Sequence, residues 1–169
     1  MHLRSRVMIA VLGGLLVAVT GYAQQQEPED EADEGMEQEV VIERSELPPA
    51  VEKTVAAEAA HATVKGFSRE VENGQTFYEV ELSVEGRTRD VLMDVHGNVV
   101  EVEEQVAFDA LPAKVRSALK ASAGTGTIRN VESLTKKGKL VAYEAHVVAS
   151  GKWSEVQVGP NGEALLHEE

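Results

Sequence analysis

Two stretches of the chain pass from helical to alternating hydrophobic spacing in the same order. After Ser45, apolar residues recur at Leu47, Val51 and Val55, and after Asp109 they recur at Leu111, Val115 and Leu119. An i, i+4 stripe of this kind predicts a helix with one side to bury. Ser45 and Asp109 are cap-type residues, Pro48 and Pro112 suit a first turn, and Gly124 and Gly126 stop the second helix. The period then becomes two. Turn signals stand at Asn73–Gly74, Gly86 and His96–Gly97, and again at Gly138, Gly151 and Asn161–Gly162, which predicts antiparallel hairpins. Tyr78, Val80, Leu82 and Val84 share a face with Val91, Met93 and Val95. Tyr143, Ala145, Val147 and Ala149 do the same with Val156 and Val158. Each of these faces can receive a helical stripe.

The two stretches are also related residue by residue. A shift of 64 places Leu47, Pro48 and Val51 on Leu111, Pro112 and Val115, and Gly74 on Gly138. A shift of 65 then superposes Tyr78–Glu79 on Tyr143–Glu144, Gly86 on Gly151, Val91 on Val156 and Gly97 on Gly162, so one residue is inserted within a hairpin of the second copy. The expected fold class is α+β: two tandem modules, 45–104 and 108–169, each one helix packed on an antiparallel meander of about four strands. A unit of some 60 residues buries a modest core, so contact between the copies would add burial and protect an edge strand.

What precedes the modules is of a different character. Arg4 and Arg6, the apolar run Val7 to Thr20 and the small residues around Ala23 predict a secretory signal peptide over 1–23. The run is shorter than the about 20 residues that span a bilayer, so no membrane span is expected after its removal. From Glu27 to Glu46 there are ten acids and one base, and residues 24–44 read as an acidic, disordered linker in which Val40, Val41 and Ile42 could add a short strand. Carboxylates alone do not define a calcium site, so the linker is read as solvated chain.

The formal charge of −13 becomes −15 once Arg4 and Arg6 leave with the signal, and no basic cluster marks a predicted element; nucleic acid is excluded as an expected partner. The absence of cysteine removes disulfides, thiolate metal sites, a Cys nucleophile and a lipid anchor on cysteine. The expected location is therefore periplasmic or secreted.

With the repeat laid out, the segments ELPPAVEKTV, ENGQTFYEVELSVEG and RDVLMDVHGNVVEVEE, and their counterparts ALPAKVRSAL, KGKLVAYEAHVVASGK and SEVQVGPNGEALLHEE, resemble the PepSY-like family of exported domains over about residues 45–169. The resemblance implies a fold similar to that of beta-lactamase inhibitor proteins, and a family linked to peptidase propeptides and to inhibiting or sensing exported proteins. It supplies no catalytic residues. Gly159 and Pro160 stand where the first copy has Asp94 and Val95, which argues against a shared acidic ligand at that turn.

Reactive constellations are absent from the sequence pattern. His61, His96, His146 and His167 include no pair at metal-ligand spacing, and convergence in space would be needed for a site. Ser150 and Ser154 lie in a predicted hairpin without nucleophile-elbow spacing. Gly124–Thr125–Gly126 follows a helix and cannot cradle a phosphate as a dinucleotide fingerprint would. Glu103–Glu104 and Glu168–Glu169 are strand neighbours that point to opposite faces. The expectation is no enzyme, no cofactor and no metal. The outer sheet faces are richer: alternation groups Glu144, His146, Trp153 and Glu155 in the second copy, and Phe77, Glu79, Glu81 and Asp90 in the first, as candidate partner-binding residues. Trp153, the single tryptophan, would serve as an aromatic anchor. The sequence thus points to an exported non-enzymatic binding module that recognises a peptide or protein and could act as a peptidase inhibitor or regulator. The alternative is a structural or ion-buffering acidic envelope protein without a specific partner.

Overall fold

A computed structural model of the chain describes residues 38–165; the expected signal peptide, the linker before Gln38 and the last residues, including His167, Glu168 and Glu169, lie outside them. The fold is α+β: eight strands in a single open sheet, with two helices. In chain order these are β1 (Gln38–Val41), α1 (Pro49–Glu58), β2 (Thr63–Glu72), β3 (Gln75–Val84), β4 (Arg87–Asp94) and β5 (Val99–Gln105), then α2 (Ala113–Ala123), β6 (Thr127–Lys136), β7 (Lys139–Ala149) and β8 (Lys152–Val158). Strand order follows sequence order and every neighbouring pair is antiparallel. The halves are not separate meanders: β5 pairs with β6 from Glu101↔Lys136 to Gln105↔Glu132, so one sheet runs through both.

Local chemistry explains the turns. Asn73–Gly74, Glu85–Gly86, Lys137–Gly138 and Ser150–Gly151 all have positive φ at both positions, the geometry of two-residue type I′ hairpins. The helix starts differ from expectation. Ser45 and Asp109 lie in short 3-10 turns, Arg44–Glu46 and Phe108–Ala110, and the residues at the N-cap positions are Pro48 and Pro112. Pro49 opens α1 at a position where a missing N–H costs nothing.

Each helix buries the predicted stripe. Leu47, Val51 and Val55 pack with Val80, Leu82, Val91 and Met93, while Leu111, Val115 and Leu119 pack with Val131, Ala145, Val147 and Val158. Two sequence assignments change. Val95 is 42% exposed because it lies in the turn beyond β4, and Ala149 is exposed at the end of β7. Residues 38–42, within the stretch read as linker, belong to the fold: β1 pairs with β2, and Ile42 is 8% exposed within the first core. A chain beginning at Arg44 loses that strand and is expected to melt lower than the intact protein. Replacing Ile42 by Ala alone should cost about 2 to 4 kcal/mol in chemical denaturation, and an unchanged midpoint would show that the strand is dispensable.

The inserted residue of the second copy is a strand irregularity. Leu134 faces Ala142 whereas Thr135 faces Leu140, which leaves Val141 as the extra residue of a bulge in β7.

Two glycines seat the helices. Gly97 and Gly162 have φ of 76° and 82°, and a Cβ on either would run into the backbone of α1 at Ala50 or of α2 at Lys114. Thr54 Oγ1 donates to Gly97 O at 2.7 Å, which ties α1 to the turn. Gly97→Ala and Gly162→Ala should each destabilise by about 1 to 3 kcal/mol. Gly74→Ala, where φ is also positive but nothing lies within 4 Å, should cost less; equal losses would assign the whole effect to backbone strain.

Asp94 holds the same turn. Its Oδ1 accepts from His96 N and Asn98 N at 2.9 Å and its Oδ2 from Asn98 Nδ2 at 2.8 Å. The Asn98 amide hydrogen bond, outweighing burial, holds this carboxyl below its ordinary range. A depressed carboxylate adds stability that is present above its ordinary pKa of about 3.9 and is lost as pH falls through the depressed value. Asp94→Asn should therefore melt lower than the parent near neutrality and lose less on acidification from about pH 5 to pH 2. Parallel acid limbs in the two melting curves would remove Asp94 from the account.

Candidate functional site

Alternation along the strands decides what the second sheet face carries. In β7, Ala145 and Val147 enter the core beneath α2, which sends Glu144 and His146 to the opposite face. The register then assembles a row, Gln105, Glu132, Glu144 and Gln157, across β5, β6, β7 and β8. Beside it, His146 stands between Asn130 and Glu155.

The side chains converge on His146. Its Nε2 lies 3.0 Å from Glu132 Oε2 and 3.4 Å from Glu144 Oε1, and its Nδ1 lies 3.4 Å from Glu155 Oε1. The outer oxygens are held from behind. Asn130 Nδ2 donates to Glu132 Oε1 at 2.9 Å, Thr88 Oγ1 donates to the same atom at 3.3 Å, and Gln157 Nε2 donates to Glu144 Oε2 at 2.7 Å. Glu132 is 1% exposed and Glu144 is 8% exposed.

Three carboxylates around one imidazole leave excess negative charge in a partly desolvated place. The hydrogen bond to Glu132, reinforced by the nearby carboxylates, holds His146 above its ordinary range against the opposing effect of burial. Burial, with help from Glu155 and Glu132, pushes the Glu144 carboxyl up despite the Gln157 hydrogen bond and the His146 charge. Such a site favours whatever brings positive charge: a proton, an ammonium or guanidinium, or a metal ion.

Of the residues expected to form a binding face, Glu144, His146 and Glu155 meet, and Trp153 lies on the same face two register pairs away, opposite Val148 and 67% exposed. Phe77, Glu79, Glu81 and Asp90 share a face on β3 and β4 but do not join the cluster. Phe77, Glu79 and Glu81 are half-buried and Asp90 is buried. By the repeat, Ser68, Glu79 and Glu81 occupy the places of Glu132, Glu144 and His146, so the first half has no imidazole there. Glu132 and Asn130 were not legible as site residues. Straight pairing back from the Lys137–Gly138 turn sets Glu132 opposite Tyr143, and only the bulge at Val141 brings it opposite Glu144.

No protein-family model matches the chain. The uncharacterized protein YkoJ of Bacillus subtilis is 31% identical over 109 residues, a match that takes in 54% of this chain and 64% of that protein, so the chain spans less than two thirds of its relative's length. Among solved structures, a DUF2874 family protein from Bacteroides ovatus superposes with a TM-score of 0.55 at 20% identity over 70% of this chain and 84% of that one. A BLIP-like protein from Bacteroides fragilis gives 0.51 at 22% identity over 71% and 83%. A Bacteroides eggerthii protein inferred to be periplasmic gives 0.56 at 18% identity over 70% and 85%. The fold is therefore BLIP-like, of the kind seen in DUF2874 proteins. The periplasmic placement expected from the N-terminus coincides with the description of such neighbours. Among the described residues no helix is long and apolar enough to cross a membrane.

Proposed function

We propose that this is an exported, non-enzymatic binding protein that recognises a cationic segment of a peptide or of another exported protein on the sheet face opposite its helices. In this reading the two halves are tandem copies of one PepSY-like module, each with its own helix, and the carboxylate-rich face of the second copy is the recognition surface. The observation that carries the proposal is Trp153, 67% exposed on the same sheet face as the His146 cluster and two residues along β8 from Glu155, which lies 3.4 Å from His146. An exposed aromatic ring on the same face as a carboxylate cluster suits a Lys- or Arg-bearing segment, which can stack on the ring and pair with the carboxylates. The BLIP-like fold of its structural neighbours is compatible with this role, and inhibition or regulation of an exported peptidase is one form it would take.

Trp153 is the protein's single tryptophan and reports on its own surroundings. A Lys- and Arg-rich peptide should shift its fluorescence and a Glu-rich peptide of equal length should not, with affinity falling as salt rises. Trp153→Ala should keep the melting temperature and lose at least tenfold in calorimetric affinity, about 1.4 kcal/mol. Undiminished binding by the variant would move recognition away from this face, and a large loss of stability would reassign Trp153 to structural packing.

A further inference from the structure

We propose that Glu132, Glu144 and His146 form a binding site for a divalent transition-metal ion of the zinc class, with Glu155 orienting the imidazole. Independently of any protein partner, the geometry points to a metal through the way each residue's two polar atoms are used. One atom of each is tethered from outside the triad: Glu132 Oε1 by Asn130 and Thr88, Glu144 Oε2 by Gln157, and His146 Nδ1 by Glu155. The other three, Glu132 Oε2, Glu144 Oε1 and His146 Nε2, converge within 4.8 Å of one another.

The spacing suits a small ion. Zinc bonds of about 2.0 to 2.2 Å to nitrogen and oxygen in a tetrahedron separate the ligand atoms by about 3.4 Å. The imidazole nitrogen lies 3.0 Å from one carboxylate oxygen and 3.4 Å from the other. The hydrogen bonds on Glu132 and Glu144 match the outer shell of protein metal sites, where ligating carboxylates are hydrogen-bonded in turn, and Glu155 Oε1, 3.4 Å from Nδ1, stands on the side where a ligating histidine gives its remaining N–H to a carboxylate. The donor set separates the candidate ions. Calcium takes six to eight oxygens, whereas one imidazole and two carboxylates favour zinc-class ions and leave a fourth position for water or for a donor from a bound partner.

The arrangement belongs to the second half. Its counterpart in the first half has Glu81 in place of His146 and Ser68 in place of Glu132, so one ion per chain is expected.

The test is titration of the untagged, chelator-treated exported protein with Zn2+ alone, by calorimetry, and with Co2+ alone, by visible spectroscopy. Expected are one ion per chain and, with Co2+, the intense visible bands of a tetrahedral ion. His146→Gln and Glu132→Gln should abolish both signals, Glu155→Gln should weaken affinity by about 10- to 100-fold, and Glu81→Gln should leave it unchanged. Circular dichroism of each variant separates a lost ligand from a lost fold, and Glu155→Gln provides the reading should a triad variant unfold. Two results would overturn the site: no Zn2+ binding, or Zn2+ binding that His146→Gln and Glu155→Gln leave intact. Neither of these bears on peptide recognition through Trp153, so either reading can fail alone.

Discussion

The close seating of each helix on one face of the sheet is the constraint from which the remaining features follow. Gly97 and Gly162 place a bare backbone against Ala50 and Lys114, which brings α1 and α2 near enough for Val51, Val55, Val115 and Leu119 to be fully enclosed. The strand positions beneath them form the two helix-covered cores. Because successive strand residues alternate between faces, every second position is forced to the other side, and in β7 those positions are Glu144 and His146. The carboxylate face is a consequence of where the helices sit.

Carboxylates brought together on a sheet repel one another unless protons, donors or cations intervene. The second half answers with His146 at the centre and with Asn130 and Gln157 as neutral donors around it, joined by Thr88 from the first half. Elsewhere on the protein, acids are offset by arginines: Arg89 reaches Glu58 at 2.6 Å and Glu104 at 2.9 Å, and Arg44 reaches Glu52 at 2.7 Å. Those pairs are partly exposed and each contributes little to stability. The His146 cluster differs in kind, since an imidazole carries at most one positive charge against three carboxylates. Its charge balance improves on binding a cation, which is why both the peptide reading and the metal reading converge on the same few side chains.

Hydrophobic spacing made most of the fold legible. Both helical stripes, the hairpin turns and the inward faces of β3, β4, β7 and β8 follow from positions such as Val51, Val80 and Val147, where burial and periodicity agree. The pattern failed where tertiary pairing outweighed composition. The acid-rich approach to β1 reads as solvated chain, yet Ile42 finds a place in the first core and backbone pairing with β2 fixes Gln38–Val41. Ser45 and Asp109 have capping chemistry, but the prolines that follow hold an extended turn before each helix, and the cap positions shift beyond them. Glu132 was hidden for a geometric reason. A one-residue bulge reverses which residues oppose one another, and sequence self-comparison shows that a residue is inserted without showing where.

That bulge also keeps the two related halves in one register although their chemistry differs. In the first half, β2 and β3 pair without interruption from Gly66↔Glu81 to the turn, and Ser68 stands opposite Glu79. In the second, the extra Val141 keeps the longer β7 in step with β6, so that the position equivalent to Ser68 still meets the position equivalent to Glu79. The two sites thus share a register and differ only in side chains: serine against glutamate at one position and glutamate against histidine at another. The halves remain linked at the cluster itself. Thr88 on β4 donates its backbone N–H to Gln105 Oε1 at 3.2 Å and its hydroxyl to Glu132 Oε1 at 3.3 Å, reaching across β5 into the second half. Fusion of the halves through β5 and β6 therefore extends the sheet and also supplies a donor that the second copy, taken alone, would lack.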